Sequence, residues 1–221
     1  MRVYKNLKSL FINRPAFLAV MLTLLIGLVF WVSLSHSSYF IPSFQQVHDS
    51  YSGSEAVLLD RHRQVLHEIR VDPMGRRLNW VGLAEISPAL QAAVISAEDK
   101  RFYQHKGVDW KASGGALIGR ISSTNLRGAS TITMQLVSKL IPDLQPQVSH
   151  RSIWQKWNQM RAARKLEESW SKAEILEAYL NMVSFRGELQ GIASASRGLF
   201  NKRSHGLDDS ESVILAALLR A

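Results

Sequence analysis

Glu98-Asp-Lys-Arg-Phe-Tyr-Gln-His-Lys-Gly107 is the stretch that decides how this chain is read. Upstream, Ser87-Pro88 has the form of an N-cap followed by proline at the first helical position, and Leu90, Val94 and Ala97 then recur at helical spacing. The pattern predicts a helix that ends on the Glu98-Asp99 pair. Glu98 lies one turn beyond Val94 and one before Phe102, so its carboxylate stands at the rim of an apolar face. There it is partly withdrawn from water and suited to taking a proton. On its own such a pair is commonly just solvated, and His105 reads equally well as a structural histidine or as one that orients a site by hydrogen bonding. The neighbouring stretches change that balance. Gly128-Ala-Ser-Thr-Ile-Thr-Met-Gln135 places small residues and two hydroxyls at a predicted helix start, expected to be capped by Ser130, where free amides suit oxygen anions. Gln135 falls one turn after Thr131 on the same face. Ser171-Lys-Ala-Glu-Ile-Leu-Glu-Ala-Tyr-Leu-Asn181 opens with a capping box, and Gly191-Ile-Ala-Ser-Ala195 follows.

In this order and spacing the four stretches resemble the glycosyltransferase family 51 domain over residues 55–219. Members of that family are peptidoglycan transglycosylases that polymerise lipid II, alone or as the front half of bifunctional penicillin-binding proteins. The resemblance implies a mainly α, lysozyme-like transglycosylase domain with a small β element. It implies Glu98 as the catalytic base, supported by Asp99, Phe102, His105 and Gly107. Ser130, Thr131 and Gln135 would line the substrate cleft, with Lys139, Arg151 and Lys156 as cations for the diphosphate. The implied reaction joins sugars with inversion at the anomeric carbon and releases undecaprenyl diphosphate. The leaving diphosphate carries its own charge, so one carboxylate and some cations suffice where a glycosidase needs an acid as well. No cofactor is required on this reading. A divalent cation, Mg or Mn, would assist at the diphosphate, and no carboxylate cluster predicts a tight metal site.

Departures from the family pattern cluster in one place. Met134-Gln135 stands where most members have two glutamines, and this methionine resembles the C-type bifunctional penicillin-binding proteins, as does Phe185-Arg-Gly-Glu-Leu-Gln-Gly191. The family lysine three residues beyond the second glutamine is Ser138, with Lys139 displaced by one. The motif Arg-Lys-x-x-Glu aligns with Gln155-Lys156-Trp-Asn-Gln159, so Gln159 replaces the family's second glutamate and no catalytic carboxylate is carried onto it. Ser169-Trp-Ser-Lys172 superficially matches the Ser-x-x-Lys of transpeptidases, but no Lys-Thr-Gly occurs and a transpeptidase half is not expected. The chain stops at Arg220-Ala221, short of the usual end of the family domain. That reads as a compact monofunctional enzyme or a truncated relative.

The N-terminus divides sharply from the rest. Arg2, Lys5, Lys8 and Arg14 form a basic tail over residues 1–15. Ala16–Leu34 is free of charge and interrupted only by Thr23, Gly27 and Ser33. As a helix it spans roughly 28 Å, close to the hydrocarbon thickness of a bilayer. Residues 16–35 are therefore expected to be a transmembrane signal anchor, since Ser33-Leu-Ser35 is a poor cleavage site. The basic flank places the N-terminus in the cytoplasm and the remainder outside a bacterial inner membrane. Residues 36–80 read as a juxtamembrane linker with a β-hairpin, and 81–221 as the transglycosylase domain. The first acidic residue is Asp49; setting aside the four basic residues of the tail leaves 23 Lys and Arg against 18 Asp and Glu, a net charge of +5. A basic exterior domain at a membrane suits anionic headgroups or a diphosphate and argues against nucleic acid. The absence of cysteine excludes disulfides, zinc thiolates and a cysteine nucleophile.

The expected partners are lipid II, the growing glycan strand and the membrane, with transpeptidases and other wall-synthesis proteins beyond them. Two rival readings stay open at this level. A non-catalytic membrane partner of wall synthesis is motivated by Ser138, Gln159 and the short C-terminus. A lysozyme-like hydrolase would need a protonated acid against the glycosidic oxygen and has less use for the Ser-Thr stretch.

Overall fold

A computed structural model describes residues 14–35, 39–73, 75–112, 130–145 and 153–219. Two compact units are present, Met1–Phe40 and Ile41–Ala221. The first contains α1 (Arg14–Ser35). Its described side chains, 17 to 31, are exposed throughout, from Phe17 to Trp31. Among the described residues no helix is long and apolar enough to cross a membrane.

The second unit is mainly helical. It opens with α2 (Phe44–Ser50), capped by Ser43 and Gln46 in a reciprocal capping box. β1 (Glu55–Leu59) and β2 (Val65–Arg70) form an antiparallel hairpin with a register shift between Leu58 and Leu59. Asp60 builds the polar turn, its Oδ1 accepting from the amides of His62 and Gln64. β3 (Arg76–Arg77) pairs in parallel with β4 (Leu189–Gln190), tying the start of the unit to a loop late in the chain.

Described residues between 42 and 83 are bound to the helical body. Trp80 stacks edge-on with Phe44 and Tyr51 and donates its indole N–H to Glu177 Oε1 at 2.7 Å. Trp170 packs edge-on against Phe44 and donates to Pro42 O. Asn181 brackets Val81, accepting from its amide at 2.9 Å and donating to its carbonyl at 2.8 Å. Aromatic burial of this kind, with each polar tip bonded, holds a segment firmly to a core.

The body consists of α3 (Pro88–Glu98), α4 (Ile132–Leu140), α5 (Ile153–Ser169), α6 (Lys172–Met182), α7 (Ile192–Phe200) and α8 (Asp209–Leu218). Leu90, Val94, Leu136, Leu166, Leu176 and Leu215 are fully buried. Each contributes roughly 1.5–3 kcal/mol relative to exposure. Helix α4 packs on α5 and α6, and α3 on α8. Ser171 and Asp208 start α6 and α8 with full capping boxes. Ser87 does not cap α3 with its side chain; its hydroxyl donates instead to Leu207 O at 3.1 Å, fastening α3 to the entry of α8. Two glycines are required by geometry. Gly107 has φ +81, and a Cβ there would meet the Ala163 backbone at 2.6 Å; Gly191 has φ +77, with the Asn181 carbonyl oxygen 2.4 Å from the same position.

Candidate active site

The first two motifs are far apart in sequence but bonded together in three places. Gln135 Nε2, on α4, donates to Glu98 Oε2 at 2.8 Å, at the end of α3. The amide of Ile132 donates to Asp99 Oδ2 at 3.1 Å. Thr131 Oγ1 donates to Gly107 O at 2.6 Å and accepts from the Met134 amide at 3.1 Å. Thr131, not Ser130, is therefore the N-cap of α4. The physical reason is the extended backbone at 131, which leaves its hydroxyl facing the free amides of the first turn. Ser130 Oγ instead accepts from Lys156 Nζ at 3.1 Å, bringing two of the expected substrate-binding residues together from different elements.

Glu98 and Asp99 differ sharply in setting. Asp99 is buried, and its carboxylate faces His105 Nε2 at 2.9 Å, itself shielded from solvent. Together with the Ile132 bond, this makes Asp99 a knot between the end of α3, the 102–107 loop and the start of α4. Phe102 is fully buried, with the Lys172 ammonium 4.4 Å from its ring centre. Glu98 is only partly buried, and Gln135, its partner, lines an open cleft of about 520 Å³. Arg77, Ser138, Lys139, Met182 and Gln190 also line it.

Tyr179 completes the Glu98 line and carries no obvious sequence signal beyond its place in the third motif. Its hydroxyl donates to Gln135 Oε1 at 3.1 Å, which fixes the amide so that Nε2 points at Glu98. Burial, and secondarily the negative charge of Glu98, hold the phenol far above its usual value, so it remains a donor. Along α6 the same motif divides its work. Glu177 and Asn181 staple residues 80–83, while Tyr179 faces the site.

Lys139 sits on α4 in the cleft wall, and burial lowers its ammonium below the ordinary lysine value. Arg151 lies outside the described residues, as do Gly128 and Ala129. Gln159 is buried and donates to Met134 O at 2.6 Å and to Ser138 Oγ at 2.5 Å. Among the described residues no three His, Asp or Glu side chains converge where they could hold a metal ion. A larger hollow, about 960 Å³, is bounded by Trp80, Arg197 and Arg203, and none of the candidate residues lines it.

The helical body thus sets the partly buried Glu98 carboxylate against an amide donor, Gln135, that lines a cleft together with Arg77 and Lys139. The chain belongs to the transglycosylase family, whose profile matches residues 62–221. It is 41% identical over 143 residues to the biosynthetic peptidoglycan transglycosylase of Haemophilus influenzae, covering 64% of this chain and 56% of that protein. It is 36% identical over 146 residues to penicillin-binding protein 2D of Bacillus subtilis, covering 65% of this chain and 20% of that protein. With penicillin-binding protein 1A of Neisseria lactamica it shares 37% identity over 147 residues, 66% of this chain and 18% of that protein. The matched region thus spans about half the length of the transglycosylase relative and a fifth of the penicillin-binding proteins.

Proposed function

We propose that this chain is a peptidoglycan glycosyltransferase that polymerises lipid II into glycan strands. The observation that carries the reading is the line Tyr179–Gln135–Glu98 beside a cleft walled by cations. In the reaction Glu98 takes the proton of the acceptor hydroxyl as its oxygen bonds to the anomeric carbon. The bond from that carbon to the diphosphate breaks, with inversion, and undecaprenyl diphosphate leaves with the electron pair. Gln135 holds the Glu98 carboxylate at one oxygen. Lys139, Lys156 and Arg151 are proposed to meet the negative charge gathering on the diphosphate. Ser130 and Thr131 stand at the N-terminal end of α4, where Ser130 takes the Lys156 ammonium and turns it toward the helix start.

The chemistry needs no resident cofactor. A divalent cation, Mg or Mn, would shield the diphosphate while held mainly by the substrate, because no carboxylate cage occurs among the described residues. Residues 16–35 are proposed to anchor the chain in the bacterial inner membrane, N-terminus inside, with the 41–221 unit outside facing a lipid-borne substrate. Transpeptidases and other wall-synthesis proteins are the expected partners. A hydrolase is less well supported, since the adjacent carboxylate Asp99 is committed to His105 and Ile132 and not to the cleft.

Incubation of the intact chain in detergent with labelled lipid II, followed by separation of polymer from monomer, tests the proposal. Polymer formation is expected. Lipid II binding without polymer would favour the non-catalytic wall-synthesis partner, and release of small sugars from finished glycan would favour a hydrolase.

A further inference from the structure

The two charges that the family pattern places on α4 and α5 are both missing here, and their replacements are bonded to each other. Gln159 Nε2 donates to Ser138 Oγ at 2.5 Å and to Met134 O at 2.6 Å, and Ser138 Oγ in turn donates to Met134 O at 3.2 Å. All of this is buried, Gln159 at 3% exposure and Ser138 at 6%. The backbone carbonyl of Met134 can only accept, so the atom of residue 159 that faces it must be a donor. A carboxylate in that place would set acceptor against acceptor in a site shielded from water, where an unpaired charge is costly. The charged side chains on the elements packed here are Lys139 on α4, Asp143 on the 142–144 turn, and Lys156, Arg161, Arg164, Lys165, Glu167 and Glu168 on α5. None of them is a hydrogen-bond partner of the Gln159 amide among the described residues.

We infer that Gln159 is a positioning residue, a neutral lock that fixes α4 against α5, and that this chain works with Glu98 as its single carboxylate. Met134, whose carbonyl the lock grips, immediately precedes Gln135, which holds Glu98. A shift of α4 therefore moves the donor on the base. The inference rests on the transferase reading given above, and it reverses the simple expectation that restoring a glutamate at 159 improves the enzyme.

The test compares the intact chain with Gln159→Glu, Gln159→Met and the double variant Gln159→Glu/Ser138→Lys. Melting temperature is followed from pH 5 to pH 8, and kcat and KM for polymerisation of labelled lipid II over the same range. The introduced carboxyl, shielded and facing a carbonyl, has its folded-state pKa above the unfolded value near 4.3. Its neutral form can donate to Met134 O as the amide does. Stability is therefore retained at pH 5 and lost as pH rises through the folded-state value. In Gln159→Glu kcat is expected to fall with it, on the order of 10²-fold at pH 8, with KM little changed, because misplacement of the base affects the chemical step. Gln159→Met, which has no ionisable group, loses activity without that pH dependence. The double variant recovers part of the stability at pH 8, as coupled neighbours do.

A Gln159→Glu chain that at pH 8 melts like the parent and polymerises as fast or faster overturns the inference. So does a Gln159→Met chain with parental kcat. A parent that makes no polymer overturns the transferase reading and the positioning role with it, whereas the pH dependence of melting still decides whether the site rejects charge.

Discussion

Glu98 and Asp99 are neighbours in sequence with the same functional group, yet the fold puts them to opposite uses. Asp99 is buried and bonded to an imidazole and a helix-start amide, three elements meeting on one carboxylate. Glu98, one residue earlier, accepts from the side-chain amide of Gln135, which lines a cleft. Saturated bonding and shielding make a carboxylate a fixture, whereas Glu98 is partly buried beside a cleft-lining amide, a setting suited to exchanging a proton. The chemical type of a residue says little until its neighbours are counted.

The comparison breaks most visibly at Glu98. Glu98→Gln keeps shape and Gln135 contact but removes the proton-accepting oxygen, and polymerisation is expected to fall about 10²–10⁴-fold with little change in melting temperature. Asp99→Ala reverses the pattern. It leaves a buried amide and imidazole unsatisfied and costs about 2–3 kcal/mol, a drop of several degrees in thermal melting, before any loss of rate per folded molecule is counted. Tyr179→Phe frees the Gln135 amide to flip and lowers kcat about tenfold, with about 1 kcal/mol lost in stability. The smallest effect is at Lys139. Burial lowers its pKa, so its positive charge is lost at a pH below that of a free lysine. If that charge serves the diphosphate, the alkaline limb of the pH–rate profile moves upward in Lys139→Arg and the rate at neutral pH is nearly unchanged.

Much of this site was legible before the fold because the motifs are dense in residues with special requirements. Gly107 closes the first motif, the Ser171 capping box marks a helix start, and Glu98 falls at the rim of an apolar stripe. Other features were not, for physical reasons. The buried face of α5 runs through Gln159, Ala162, Ala163 and Leu166, whereas spacing of large apolar residues points to Ile153, Trp157 and Met160. Small and polar residues fill that seam because α4 and the Gly107 loop come close. Thr131, with its extended backbone, takes the cap from Ser130, and its hydroxyl also reaches Gly107 O, a long-range bond that local pattern does not contain. The edge-on contacts of Phe44 with Trp80 and Trp170 are likewise set by tertiary packing and have no local signal. Gln159 stands where the family pattern has a glutamate, and only its bonds to Met134 and Ser138 support the positioning role inferred above.

Single-turnover polymerisation of labelled lipid II by the parent, Glu98→Gln and Asp99→Asn, at matched concentrations of folded protein, tests the division of labour most directly. Asp99→Asn retains an acceptor for the Ile132 amide and is expected to keep a rate within about tenfold of the parent, while Glu98→Gln loses at least 10²-fold. A Glu98→Gln chain that polymerises at the parental rate, or an Asp99→Asn chain that is equally inactive when folded, would contradict the account.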